Sequence, residues 1–140
     1  MLHLTKLAVG VRDIDELRGW QTERARVDPP LRHRTRNAPR RREEVLDGSS
    51  IYWVINGTML VRQRILDIVE DRRADNVACA GLVLDPALVP LEGRPTKPFQ
   101  GWRYLRAEDA PGDLRDAGLM VGLADLPMSL QRELRALCLI

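Results

Sequence analysis

The stretch IYWVINGTMLVRQRILDIV, residues 51–69, limits the fold more than any other part of the chain. Two runs rich in β-branched and aromatic residues flank Asn56-Gly57, a dipeptide that favours a type I′ turn between antiparallel strands. A uniform register from that turn predicts three facing pairs: Ile55–Thr58, Trp53–Leu60 and Ile51–Arg62. The sequence therefore predicts a β-hairpin.

This register divides the side chains of the hairpin between two faces. Trp53, Leu60, Arg62 and Arg64 share one face, and Tyr52, Val54, Val61, Gln63 and Ile65 share the other. Both faces are largely apolar, so we expect the hairpin to be central in a sheet and covered on both sides.

Other patterns predict the remaining elements. Asp13 and Glu16 have capping-box spacing at the start of an expected helix over residues 13–26, which Pro29-Pro30 ends. Leucines recur at helical spacing from Leu126 onward, which predicts an amphipathic C-terminal helix. Further strands are expected at residues 2–9, 77–84, 87–93 and 99–105.

The order of these elements indicates an α+β fold. Consecutive strands joined by short turns favour antiparallel pairing over repeated crossovers. We expect a small, mostly antiparallel curved sheet or partly closed barrel with N-terminal and C-terminal helices. With 140 residues, the chain is expected to form a single domain over residues 1–140.

Basic residues concentrate just before the hairpin. The segment 32–42 carries six arginines and no acidic residue, and 20 of the 22 basic residues of the chain are arginine. A GC-rich genome gives the same bias toward arginine. The clustering of the arginines in this segment is therefore more informative about function than their total number.

Arginine suits the recognition of anions, because its planar guanidinium binds phosphate or carboxylate with two hydrogen bonds. Candidate phosphate-binding residues are Arg34, Arg36, Arg40, Arg41, Arg42, Arg62, Arg64 and Arg103. The alternative is an internal ion-pair network, with Asp47 and Asp67 as partners of Arg62 and Arg64.

Aromatic residues lie near several of these arginines. Five of the six aromatic residues fall within IYWVI and FQGWRYL, and Trp102 and Tyr104 flank Arg103. Aromatic rings beside guanidinium groups can stack on unpaired bases, although Trp and Tyr are also ordinary core residues. His33, expected to be neutral between two arginines, and Gln63 are candidate polar groups.

Several classes of site are not indicated. No catalytic constellation, phosphate-binding glycine loop or metal-ligand spacing is visible, so no catalytic residue, cofactor or metal is predicted. No apolar run is long enough to cross a membrane, and Cys79 and Cys138 lie in apolar contexts typical of reduced thiols. We expect a cytoplasmic protein.

The blocks HRTR, PRRREEVLDG, SIYWVING, VRQRILDI, LVLDP and PFQGWRYLRAEDAP resemble a bacterial, mainly alphaproteobacterial, family of unknown function, number 1489 of the domain-of-unknown-function series. The resemblance implies a small cytoplasmic domain and brings no catalytic residues. The layout is also similar to PUA-like domains, including the ASCH and EVE groups, many of which bind RNA or modified bases; that similarity is an analogy of fold.

These observations support three hypotheses. The first is a domain that binds RNA, single-stranded DNA or a nucleotide through the arginines and an aromatic surface. The second is an enzyme that acts on an anionic small molecule, with His33, Glu43 or Glu44 as the general base. The third is a protein-interaction module or homodimer.

Overall fold

The computed structural model describes residues 1–114, so the helix expected from Leu126 lies outside the described residues. In chain order the elements are β1 (Leu2–Leu7), α1 (Ile14–Val27), β2 (Arg32–Thr35), α2 (Arg42–Val45), β3 (Ser50–Ile55), β4 (Thr58–Arg72), β5 (Ala78–Leu84), β6 (Val89–Pro95), β7 (Trp102–Arg106) and a 3-10 turn (Ala107–Asp109).

The strands form one sheet in the order β2-β5-β4-β3-β1-β7, with β6 paired to β4. The sheet is open and curled into a half-barrel, which confirms the expected α+β class with a mostly antiparallel curved sheet. Two hydrogen bonds connect the edge strand β7 to the segment that follows the other edge strand, β2: Trp102 Nε1 donates to Asn37 O at 3.2 Å, and Arg41 N donates to Tyr104 Oη at 3.1 Å.

The hairpin forms as predicted, but its register shifts. Asn56 and Gly57 have φ of 51° and 77°, as a type I′ turn requires, and Ile55 pairs with Thr58. An irregularity between Trp53 and Val54 then moves the remaining pairs by one residue.

The expected division of hairpin faces was therefore wrong beyond the turn. Trp53 pairs with Val61, Tyr52 with Arg62 and Ile51 with Gln63. Gln63 consequently lies on the face of Trp53, and Arg62 lies on the opposite face beside Tyr52. The expectation of a central, covered hairpin is confirmed, since every residue of β3 is buried.

Two features of the sheet were not expected from the sequence. β1 pairs in parallel with β3, an exception to the antiparallel pattern. The segment Arg32–Thr35 is a strand paired with β5 at the edge of the sheet, and no strand was predicted there.

Side chains pack on both faces of the sheet. The face with the larger cluster, here called the inner face, carries Leu4, Ile51, Trp53 and Leu82, and Leu17 of α1 packs against it. The other face, here called the outer face, carries a smaller cluster of Tyr52, Val54, Met59 and Leu91. No described helix is long and apolar enough to span a membrane.

Candidate functional site

Three side chains form a row across the inner face. Lys6 of β1 pairs with Trp53 of β3 on one side and with Trp102 of β7 on the other. Because paired residues of neighbouring strands point to the same face, a lysine lies between two tryptophans. This row is the centre of the candidate site.

Lys6 is a partly buried cation without a carboxylate partner within residues 1–114. Burial lowers the pKa of its ammonium group, because a less polar environment disfavours the charged form. An anion brought to this position would offset that cost.

A groove opens on the Trp102 side of Lys6. It has a volume of about 460 Å³ and is here called the basic groove; its lining consists of Lys6, Arg34, Thr35, Arg36, Asn37, Gly101 and Trp102. No acidic side chain is among these lining residues. Arg34 is neutralised by Asp28 at 2.8 Å and by Asp71 at 3.0 Å, so Lys6 and the exposed Arg36 supply the available positive charge.

A second cavity opens on the Trp53 side of Lys6. It has a volume of about 190 Å³ and is here called the His33 cavity. Its lining is mostly apolar and includes the indoles of Trp20 and Trp53. Lys6, Ala8, Arg24 and His33 also line it. An apolar cavity with a few converging polar groups has the composition of a ligand site.

His33 provides the imidazole of this cavity. Its ring contacts the indole of Trp53 edge to face, with centroids 5.1 Å apart and planes at 88°. Burial, followed by the charges of Lys6 and Arg24, lowers its pKa from 6.5 to about 4. The neutral state agrees with our expectation, although the cause differs, because the flanking arginines are not responsible.

The Nε2 atom of His33 is buried and has no hydrogen-bond partner within residues 1–114. Most buried polar atoms of proteins have a partner, and leaving one without costs free energy. His33 lines the cavity, so a small side-chain shift that uncovers Nε2 would make this atom a candidate contact for a bound molecule.

Gln63 acts as a structural support of the cavity wall. Its Oε1 accepts from Trp53 Nε1 at 3.1 Å and from Gln21 Nε2 at 2.8 Å, and its own Nε2 donates to Gln21 Oε1 and to Asp85 O. Gln63 is fully buried, so these bonds fix the orientation of the Trp53 indole.

Four of the predicted phosphate-binding arginines are ion-paired. Arg34 bonds Asp28 and Asp71, Arg41 bonds Glu44, Arg42 lies 3.9 Å from Asp67, and Arg62 bonds Asp113 at 2.6 Å. The expected partners of Arg62 were therefore wrong, since Asp47 pairs with the N-terminus instead. For these four of the eight candidate arginines, the alternative of an internal ion-pair network therefore describes the structure.

The other four form no ion pair within residues 1–114: Arg36, Arg40, Arg64 and Arg103. They do not converge. Arg36 lines the basic groove, while Arg103 lies on the outer face with its guanidinium 4.7 Å from the ring centre of Phe99. Arg64 is exposed opposite Ser50 on that same outer face. A continuous track of arginines is thus not formed by the described residues.

The predicted stacking residues lie at the edge of the site. Trp102 and Tyr104 contact each other edge to face, with centroids 5.0 Å apart. Trp102 lines the basic groove, whereas Tyr104 packs near the guanidinium of Arg41. Of the predicted site residues, Trp102 and Arg36 line the groove and His33 lines the cavity, and Lys6 lines both.

Sequence reasoning missed Lys6, Trp20, Arg24 and Trp53 as site residues. A signal existed for Lys6, because it is a charge at an inward position of the apolar strand LHLTKLAV. Its two tryptophan neighbours are 47 and 96 positions away along the chain, and only the strand order makes them adjacent.

Within residues 1–114, no group of His, Cys, Asp and Glu side chains is placed to hold a metal ion. The model of a protein family described as "Protein of unknown function (DUF1489)" matches residues 4–140. No curated protein and no solved structure matches the chain.

Proposed function

The chain belongs to the DUF1489 family of proteins of unknown function, and on that premise we propose that it is a domain that binds a nucleotide, either free or as an unpaired unit of a single strand. The phosphate of the bound nucleotide lies in the basic groove against Lys6 and Arg36. Trp102 supplies an aromatic surface beside it.

The observation that carries this proposal is the placement of Lys6 between two tryptophans. A half-buried ammonium that has no carboxylate partner in the described part of the chain favours an anion, and the aromatic neighbours favour a planar ring. A nucleotide is the common biological ligand class that offers a phosphate and a planar ring in one small molecule.

The distribution of charge supports a single nucleotide unit over a long polyanion. Half of the candidate arginines are ion-paired, and Arg64 and Arg103 lie on the outer face. Two cations remain in the groove, which matches one phosphate group.

Salt dependence tests this proposal quantitatively. Binding of a short oligouridylate is measured by tryptophan fluorescence between about 25 and 300 mM salt. Each neutralised phosphate of a single strand contributes about −0.7 to the slope of log K against log salt, so the one phosphate held jointly by Lys6 and Arg36 predicts about −0.7. Engagement of all eight candidate arginines would give about −5.6.

Matched lysine variants locate the contact. Lys6→Gln removes the cation of the row and is expected to weaken binding and reduce the slope, whereas Lys97→Gln removes an exposed lysine and leaves both unchanged. Absence of binding by the unmodified protein, or equal effects of the two variants, would contradict the proposal.

A further inference from the structure

We propose that the His33 cavity receives the base of the bound nucleotide and accepts one six-membered ring, so that pyrimidines are preferred over purines; this inference rests on the proposed function. The structural basis is that Lys6 lines both the cavity and the basic groove. A phosphate and a base could thus lie on the two sides of one side chain.

The volume of the cavity sets the size of the ring. A closed apolar cavity of about 150 Å³ is large enough for benzene, and the His33 cavity measures about 190 Å³. A single substituted ring fits this space. A bicyclic purine exceeds this volume and would project from the open side of the cavity, so a smaller share of its surface would be buried there.

The walls of the cavity match a planar ring with a polar edge. Trp53 and Trp20 provide aromatic surface, and aliphatic side chains form much of the remaining lining. His33 Nε2 is a buried polar atom that has no partner among the described residues. A ring nitrogen or carbonyl that reaches it would form the missing hydrogen bond, which a purely apolar ring cannot do.

Hydrogen bonds within the protein orient the indole of Trp53 in the cavity and the indole of Trp102 in the groove without a ligand. Gln63 bonds Trp53 Nε1 at 3.1 Å, and Trp102 Nε1 donates to Asn37 O at 3.2 Å. The cavity and the groove are thus preorganised, which reduces the entropy lost on binding.

The test compares four probes by calorimetry: uridine monophosphate, adenosine monophosphate, uridine and ribose 5-phosphate. Uridine monophosphate is expected to bind about 10- to 100-fold more tightly than ribose 5-phosphate, the range that one stacked base contributes. It is also expected to bind at least about tenfold more tightly than adenosine monophosphate, since a purine exceeds the cavity.

Two variants change the cavity without removing a cation. Ala8→Leu fills it from a partly buried wall position, and Ala87→Leu adds the same atoms at an exposed site as a control. Only Ala8→Leu should abolish the advantage of uridine monophosphate over ribose 5-phosphate. His33→Phe keeps a ring against Trp53 but removes the hydrogen-bonding nitrogen. It should therefore reduce the advantage of uridine monophosphate over ribose 5-phosphate while leaving the unfolding temperature unchanged or higher.

The outcomes separate this inference from the proposed function. If both nucleotides and ribose 5-phosphate bind with equal affinity, and Ala8→Leu does not change these affinities, the base lies outside the cavity. This result would overturn the inference about the cavity and leave the proposed phosphate site standing. Equal binding of uridine and uridine monophosphate, with none of ribose 5-phosphate, would support the cavity and overturn the phosphate site. Failure of all four probes to bind overturns both.

Discussion

The imidazole of His33 and the indole of Trp53 meet edge to face at 5.1 Å on the inner face of the half-barrel. His33 belongs to an edge strand and Trp53 to a central one, with two other strands between them in the sheet order. The curl of the sheet brings them together. This contact forms one wall of the cavity and explains why His33 remains neutral: its neighbours are apolar or cationic.

The stability of the protein is expected to fall between pH 6.5 and pH 4 because of His33. Its pKa is about 4 in the folded state and 6.5 in its ordinary environment. Above pH 6.5 the imidazole is neutral in both states, and below 6.5 the unfolded chain binds the proton first, which favours unfolding. The loss is up to about 3 kcal/mol and is complete near pH 4.

Urea unfolding at pH 7 and pH 4.5 measures this effect. His3, whose pKa is also lowered by burial, adds a loss of the same sign, so the wild type is compared with His33→Phe. A variant whose stability falls as steeply as that of the wild type would exclude His33 as the cause.

Gln63→Ala is expected to destabilise the protein by about 2–4 kcal/mol. The substitution leaves the indole N–H of Trp53 and the carbonyl of Asp85 without their partner in a buried region. Gln21→Ala, at the partly exposed end of the same network, should cost about 1 kcal/mol. Thermal unfolding measures both, and the double variant should lose less than the sum because the residues share their bonds.

Asp71 anchors the edge strand β2 to β4. Its carboxylate accepts from Arg32 Nε at 2.5 Å and from Arg34 Nε at 3.0 Å. The side chains of Asp71 and Arg32 are only 12% and 14% exposed. Asp71→Asn should therefore cost about 2 kcal/mol, between the values typical of buried and surface pairs.

The control for Asp71 is Asp15→Asn, which disrupts the exposed pair of Asp15 with Arg18 and should cost less than about 0.5 kcal/mol. Hydrogen exchange supplies a second measurement, since Asp71→Asn should speed exchange mainly in Arg32–Thr35. Uniform acceleration over the whole sheet, or equal costs of the two variants, would contradict an anchoring role.

Arg36→Ala and Arg64→Ala separate a groove arginine from an outer-face arginine. Both residues are exposed and unpaired within the described chain, so neither change should alter stability by more than about 0.5 kcal/mol. Arg36→Ala should weaken oligouridylate binding and make the salt slope less negative. Arg64→Ala should change neither quantity, and an equal effect of both would indicate diffuse electrostatic attraction.

Local patterns in the sequence determined the elements of this protein. Asn56-Gly57 specified the hairpin turn, because few residues adopt positive φ at two consecutive positions. Asp13 specified the start of α1, where its side chain accepts from Glu16 N at 2.8 Å. The apolar run ending at Leu84 specified a buried strand. Each of these signals acts within a few residues and needs no tertiary contact.

The tertiary structure alone decided the register, the strand order and the candidate site. One irregularity beside Trp53 moved Arg62 and Gln63 to faces opposite to those predicted, since side chains alternate along a strand. The parallel pairing of β1 with β3 placed Lys6 beside Trp53, and the curl of the sheet brought His33 to the same cavity. The ion pairs of Arg34 and Arg62 likewise depend on carboxylates that are distant in sequence, which no local pattern of charge can specify.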